Sequence, residues 1–157
     1  MIKFMDVNKN NLYKCLSLDI NDNQKSFLVE GVSISLAKAW VWYQKSYPFA
    51  IYNDDELVGF ILMCKGVFTE ANFIGMSEND PLIWEFMIDK KYQGKGFGRA
   101  AIQCAIDWLK NIHNAKKIFT SVHKDNKVAI NLYKSFGFEF TSGTVESDGE
   151  MDMLLVL

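Results

Sequence analysis

Residues 92–99 read Tyr-Gln-Gly-Lys-Gly-Phe-Gly-Arg, YQGKGFGR, with glycine at three alternate positions. The run before it, LIWEFMI at 82–88, is apolar except for Glu85 and has the length of a strand. The run after it, AAIQCAIDWLK at 100–110, puts Ala101, Ala105 and Leu109 on one face with Ile102 and Ile106 beside them, the stripe of an amphipathic helix. A glycine-rich turn between a strand and a helix brings successive backbone N–H groups together in front of the helix N-terminus. That makes a cradle for anionic oxygens. Glycine suits it because a Cβ blocks the close approach of a phosphate and resists positive φ. Lys95 and Arg99 add positive charge. The plainer reading, a turn that only connects two elements, stays open on spacing alone. Two commoner phosphate motifs are excluded. No Gly-Lys-Ser/Thr exists for a Walker loop. The pattern is GxGxG rather than GxGxxG, and the following strand-like run, KIFTSV at 117–122, carries no acid.

Working outward, residues 2–7 read as a first strand, 10–18 and 23–43 as helical with breaks near Asn21 and Gly31, and 49–52 and 57–64 as a hairpin around the polar turn Asn53–Glu56. A loop over 65–80 leads to the strand at 82–88, then the helix at 99–111 and the strand at 117–122. A helix over 126–136 carries Ala129, Leu132, Tyr133 and Phe136 on one face and ends at Gly137, a left-handed stop. Two closing strands, 138–141 and 151–156, flank a polar turn. Pro48 and Pro81 each precede a strand-like run, where a missing N–H is tolerated. The order β-αα-ββ-β-α-β-α-ββ, with one strand–helix–strand crossover and several hairpins, predicts an α/β (α+β in some schemes) fold. It has a mixed, mostly antiparallel central sheet flanked by helices.

A chain of 157 residues is expected to form one domain, 1–157. Its net charge of −2 gives no basic field for nucleic acid. No apolar run approaches the ~18 residues that span a membrane, and the N-terminus lacks an apolar signal segment. Cys15, Cys64 and Cys104 are odd in number and widely spaced, with no CxxC. They predict reduced thiols in a cytoplasmic protein and no metal site. No His or acid stands in a motif that would make one of them a nucleophile.

Gln93-Gly94-Lys95-Gly96-Phe97-Gly98 resembles the Q/R-x-x-G-x-G/A signature of the GNAT acyl-CoA N-acyltransferases. Asn126, Ala129, Leu132-Tyr133 and Gly137-Phe138 resemble that family's N-x-x-A-x-x-L-Y-x-x-x-G-F element. The resemblance covers essentially the whole chain and implies the GNAT fold, acetyl-CoA as co-substrate and a small-molecule amine as acceptor. A homodimer is an option, since many relatives dimerise. It implies that the diphosphate lies on the amides from Gly94 to Arg99, with Gln93 and Asn126 close by. The pantetheine arm would pair with the backbone of Phe86, Met87 and Ile88, one of whose N–H groups would hold the oxyanion. Tyr133 matches the family's general acid for the departing thiolate. The bland alternative makes Tyr133 a core aromatic, and Asn126 a helix cap.

Glu85, the lone charge in LIWEFMI, is costly on a buried strand without a partner. It either accepts the amine proton or holds an ammonium, or it is a solvated or Lys-paired strand residue. His123 is a weaker candidate base, with an exposed loop position as its plain reading. His113 is expected at the surface. The segments NQKSFLV at 23–29, PFAIYNDDELVGFILM at 48–63 and the 82–98 core look most like the bacterial spermine/spermidine (diamine) acetyltransferases of the family. A polycation calls for spaced carboxylates, for which Glu30, Glu70, Glu78, Asp80 and Glu85 are candidates. Trp40, Trp42, Tyr43, Tyr47, Phe68, Phe73 and Trp84 line a slot for methylenes or form core. A different amine, or a non-catalytic acyl-CoA-binding module, is the alternative. The phenol at the motif position favours chemistry.

Overall fold

A computed structural model describes residues 1–27, 30–66, 73–141 and 148–157, and Tyr43 without its side chain. Seven strands form one sheet in the order β1-β2-β3-β4-β5-β7-β6. They are β1 (Ile2–Asp6), β2 (Ser46–Asn53), β3 (Glu56–Lys65), β4 (Pro81–Ile88), β5 (Lys117–His123), β6 (Glu139–Phe140) and β7 (Glu150–Val156). Every neighbouring pair is antiparallel except β4 and β5. Among the described residues four α-helices cover the sheet: α1 (Leu12–Leu16), α2 (Val32–Val41), α3 (Phe97–His113) and α4 (Lys127–Lys134). This is the mixed, helix-flanked sheet that the element order predicts.

The pleat sorts the core into two layers. Ile51, Ile61, Met63, Ile83, Ile88 and Ile118 face α3 and α4. Their alternates Ala50, Phe60, Leu62, Cys64, Leu82, Met87 and Phe119 face α1 and α2. The buried stripe of α3 is Ala101, Ile102, Ala105, Ile106 and Leu109, as its periodicity requires. On α4 the buried residues are Ile130 and Tyr133, with Ala129, Leu132 and Phe136 packed partly against the same core.

Several elements are shorter than their patterns suggest. Helix α1 starts only at Leu12 because the Asn11 side chain takes the Asn8 amide at 2.7 Å and donates to the Asp6 carbonyl at 3.0 Å, holding the preceding turn outside the helix. Asp22–Gln24 is a 3-10 turn, and α2 begins after Gly31, whose φ of −89° and ψ of 172° are extended. Pro48 sits within β2 rather than ahead of it, just past the last β1 pairing, Asp6 with Phe49, where the β1 side of the strand is open.

The two strands of the crossover touch for only two rungs, Leu82 with Phe119 and Ile83 with Thr120. Beyond them β4 keeps pairing with β3 and β5 with β7, so a gap opens between β4 and β5. The cause lies in β4: the β3 register jumps between Leu62–Glu85 and Met63–Ile83, leaving Trp84 as an extra, bulged residue. A bulge adds local twist and bends its strand, here away from β5. The Thr120 hydroxyl donates to the Ile83 carbonyl at 3.1 Å and pins the last rung.

Gly59, opposite Ile88, is a close approach between β3 and β4. A Cβ there would run into the Met87 carbonyl and come within 2.9 Å of Ile88 Cδ1. Gly59→Ala is expected to destabilise the protein by about 2–4 kcal/mol in chemical denaturation. Gly31→Ala, which meets nothing within 4 Å, should stay within about 1 kcal/mol.

Candidate functional site

The gap between β4 and β5 has three structures at its margins. The first is the loop at 92–99. Gly94 and Gly96 hold φ of 75° and 82°, and a Cβ on either would meet no protein atom within 4 Å. Gly96 caps α3 without any side-chain cap, and the first helical bond is Ala100 N–H to the Gly96 carbonyl at 3.1 Å. The amides of Phe97, Gly98 and Arg99 therefore lie ahead of the helical ladder, free to meet an anion. Gly98 has no positive φ, and a Cβ there would make only ordinary contacts of 3.8–3.9 Å with Ile88, Leu132 and Phe86, so nothing in the protein itself demands the third glycine.

The side chains of this loop are more committed than its backbone. Gln93 Nε2 donates to the Ile88 carbonyl and to Gln24 Oε1, both at 2.9 Å, while Gln93 Oε1 accepts from Asn21 Nδ2 at 2.8 Å. The first residue of the glycine signature thus ties the end of β4 to the 3-10 turn ahead of α2. Arg99 leans along α4, with Nη1 2.7 Å from Ser135 Oγ and the guanidinium 4.9 Å from the Phe136 ring centre. Lys95 lies over Tyr92, 5.4 Å from its ring centre, and the Tyr92 hydroxyl donates to Glu56. Asp89, buried, accepts from the Asp19 and Lys91 amides at 3.1 and 2.9 Å and fastens the loop's base.

The second structure lies on the α3–α4 side of the sheet. Tyr133 is buried, edge-on to Phe138 with ring centres 5.2 Å apart. Its hydroxyl shares a hydrogen bond with Thr120, the residue at which the strands part. Burial pushes the phenol up to about 12, with a further push from Glu150 and an opposing pull from Thr120. Tyr133 is therefore a neutral hydroxyl beside the last β4–β5 rung. Asn126 caps α4, its Oδ1 taking the Ala129 amide at 3.1 Å.

The third structure lies on the opposite face. Glu85 follows the bulge, is 9% exposed, and has Oε1 buried without a hydrogen-bond partner. Burial, and next the charge of Glu30, push its carboxyl up to about 8, while Lys38 pulls the other way. Glu30 Oε1 meets Lys38 Nζ at 2.8 Å, and that ammonium stands 5.1 Å from the Trp84 ring centre. Lys38, Ala39, Trp42, Ser46, Leu62, Cys64 and Trp84 line a narrow cleft beside it.

Of the acids and aromatics expected near an acceptor, the structure thus groups Glu30, Glu85, Trp42 and Trp84. Glu78 is exposed, and Asp80 takes the Ser77 amide at 2.8 Å and shapes the turn before β4. Trp40 is 81% exposed on the outside of α2, and Tyr47 packs on Trp108 on the other face of the sheet. Phe73 packs on Phe119. Glu70 and Phe68 lie outside the described residues, as does the side chain of Tyr43. His123 is not simply exposed: its ring centre is 5.1 Å from that of Phe27 and its Nδ1 accepts the Asp125 amide at 3.3 Å. His113, expected at the surface, is half-buried between Trp108 and Tyr47 with its Nε2 enclosed and unpartnered, because the aromatic faces there exclude water. Thr120, Lys38 and Glu150, which accepts from Ser121 Oγ at 2.8 Å, were missed. Thr120 and Glu150 owe their places to pairing across the sheet and Lys38 to the docking of α2 on it, which no local pattern marks. Among the described residues no three His, Cys, Asp or Glu side chains converge on a metal site, and no helix is long and apolar enough to cross a membrane.

Comparison with known proteins places this geometry in a wider set. A family model described as Acetyltransferase (GNAT) family matches residues 17–138. The chain is 32% identical to the spermine/spermidine N(1)-acetyltransferase of Bacillus subtilis (strain 168) over 157 residues, 98% of this chain and 97% of that one. Its backbone is similar to that of spermidine N-acetyltransferase from Vibrio cholerae in complex with CoA and spermine, with a TM-score of 0.77, 22% identity, and 99% and 95% of the two chains covered. It is also similar to the ribosomal-protein-S18-alanine N-acetyltransferase from Escherichia coli, with a TM-score of 0.67, 18% identity, and 99% and 94% covered. At these identities the two structures speak for the fold.

The Glu85 carboxyl makes stability depend on pH in a definite direction. Its folded pKa lies above the value for an unfolded chain, so the native state holds the extra proton between about 4.5 and 8. Stability tied to this group is therefore present below that window and lost as pH rises through it. Glu85→Gln is expected to raise Tm by several degrees at pH 9 and by much less at pH 5 in scanning calorimetry. An equal shift at both values would mean that Glu85 ionises as an ordinary carboxylate.

Proposed function

Because the chain belongs to the acetyltransferase (GNAT) family, we propose that it moves an acetyl group from acetyl-CoA to a primary amine of a polyamine such as spermidine or spermine, in one domain spanning residues 1–157. The observation that carries this reading is the buried, unpartnered carboxylate oxygen of Glu85 at the bulge where β4 leaves β5, with Glu30 and Trp84 beside it. The kinship with the Bacillus subtilis enzyme along nearly its whole length supports the same acceptor class.

The chain's own groups suit the co-substrate. The amides at 94–99 fit a diphosphate: two of the glycines are left-handed and their missing side chains leave open space in front of the α3 N-terminus. The edge of β4 released by β5 turns the backbone groups of Phe86 and Ile88, the alternates of Met87 and of Asp89, whose amide bonds to β3, toward an extended amide-bearing arm. Acetyl-CoA would supply the thioester that the amine attacks. Gln93 acts here through the fold, by bracing the cradle, and Asn126 by capping α4.

On the acceptor side, an alkylammonium must give up a proton before its nitrogen is nucleophilic. A carboxylate of ordinary pKa is a poor base for an amine near ~10, but one raised to about 8 faces a far smaller uphill transfer. Glu85 takes that proton. On the far side of the sheet Tyr133 presents its hydroxyl to the sulfur that departs, and its neutral state guarantees a proton to share. Base and acid stand on opposite faces of the sheet at the same opening, so the amine and the thioester meet in the gap.

Four outcomes are expected. Thiol release from acetyl-CoA, assayed over a panel of amines, is fastest with polyamines; tight cofactor binding with no release for any amine contradicts catalysis. Tyr133→Phe lowers kcat by roughly 10²-fold with little change in acetyl-CoA affinity, and Gly96→Val weakens that affinity more than tenfold while Tm moves little. Finally, kcat/KM rises with pH through about 8 as Glu85 ionises, a limb that Glu85→Gln removes.

A further inference from the structure

We infer that Lys38 is a resident cation in the acceptor site, seated where an ammonium of the incoming polyamine binds and displaced by it. The inference rests on the polyamine reading above and deepens it. Lys38 comes from α2 and turns inward: its side chain is only 22% exposed, and its ammonium lies 2.8 Å from Glu30 Oε1 and over the Trp84 ring at 5.1 Å. A carboxylate on one side and an indole face on the other is the environment that binds alkylammonium ions. The lysine side chain is itself an aminobutyl group, the same unit that forms an arm of spermidine. Its side chain lines the narrow cleft with Ala39, Trp42, Ser46, Leu62, Cys64 and Trp84, so an incoming methylene chain would take the space that the lysine's own methylenes fill.

The seat has unused capacity. Glu30 Oε2 and Glu85 Oε1 are both buried and neither has a hydrogen-bond donor. Two carboxyl groups thus converge on the region of the Lys38 ammonium, and burial of an unpartnered acceptor is costly until a donor arrives. A substrate bringing two ammonium groups can satisfy both: one at Glu85, where it loses its proton, and one at Glu30 in place of Lys38. A monoamine has no second charge to exchange for the lysine. Lys38 therefore lowers the affinity for polycations and leaves that for monoamines nearly untouched, because only a polycation has to displace it. The apparent affinity for a polyamine is reduced by the fraction of time the seat is filled from within.

The test compares wild type with Lys38→Met and Lys38→Gln, using calorimetric titration of spermidine and of butylamine into the coenzyme A complex. Thiol release with spermidine is measured in parallel. With the lysine gone, the Kd of spermidine should fall about tenfold, the factor expected for a seat self-occupied nine-tenths of the time, while that of butylamine changes less than threefold. Lys38→Arg, which keeps a cation in the seat, should behave like wild type. An unchanged or higher spermidine Kd in a folded neutral variant overturns the inference, as does an equal gain for both amines. If wild type binds spermidine but releases no thiol with it, the acetyltransferase reading for polyamines fails, and the Kd comparison still decides the role of Lys38.

Discussion

The parting of two parallel strands after only two rungs is the constraint on which the site depends. β4 and β5 are held together at Leu82–Phe119 and Ile83–Thr120, and a buried hydroxyl bond from Thr120 to the Ile83 carbonyl closes that contact. One residue later the bulge at Trp84 bends β4 off course. A continuous ladder would have satisfied the backbone of both strands and left no opening. The sheet can bear this loss because β4 remains paired along its other edge with β3, and β5 with β7.

The gap also divides the chemistry between the two faces of the sheet. The α3–α4 face carries the glycine cradle and Tyr133, and the α1–α2 face carries Glu85, Glu30, Lys38 and the cleft beside Trp84. The segment from Asp19 to Gln24 links them. It binds the cradle loop through the Gln93 amide, the Asp89 carboxylate and the Lys90–Asp19 pair at 2.6 Å, and it leads onward toward Glu30 and α2. The loop at 92–99 is consequently braced by the segment that leads toward α2, so the proposed phosphate cradle and the proposed amine cleft are parts of one framework.

Much of this was readable from residue order. The alternation of apolar residues in β3 and the stripe of α3 report which face each element buries, since both are local periodicities. The positive φ of Gly94 and Gly96 follows from the glycine-rich turn. What could not be read depends on pairing between distant segments. The bulge at Trp84 exists only relative to β3, and LIWEFMI carries no sign of it. Lys38 meets Trp84 through the docking of α2 on the sheet, which no local pattern reports. His113 is expected at the surface, yet as the last residue of α3 it packs between Tyr47 from β2 and Trp108. The third glycine was read with the other two, although its backbone is ordinary helix.

A crystal structure of the coenzyme A complex tests the central claim most directly, since the opening between β4 and β5 is asserted to be where the thioester sits. The expected result is a diphosphate on the amides of residues 94–99, the pantetheine arm along the released edge of β4, and the sulfur within hydrogen-bond reach of the Tyr133 hydroxyl. A coenzyme bound elsewhere, or a sulfur facing away from Tyr133 with the gap between the strands closed, would contradict it.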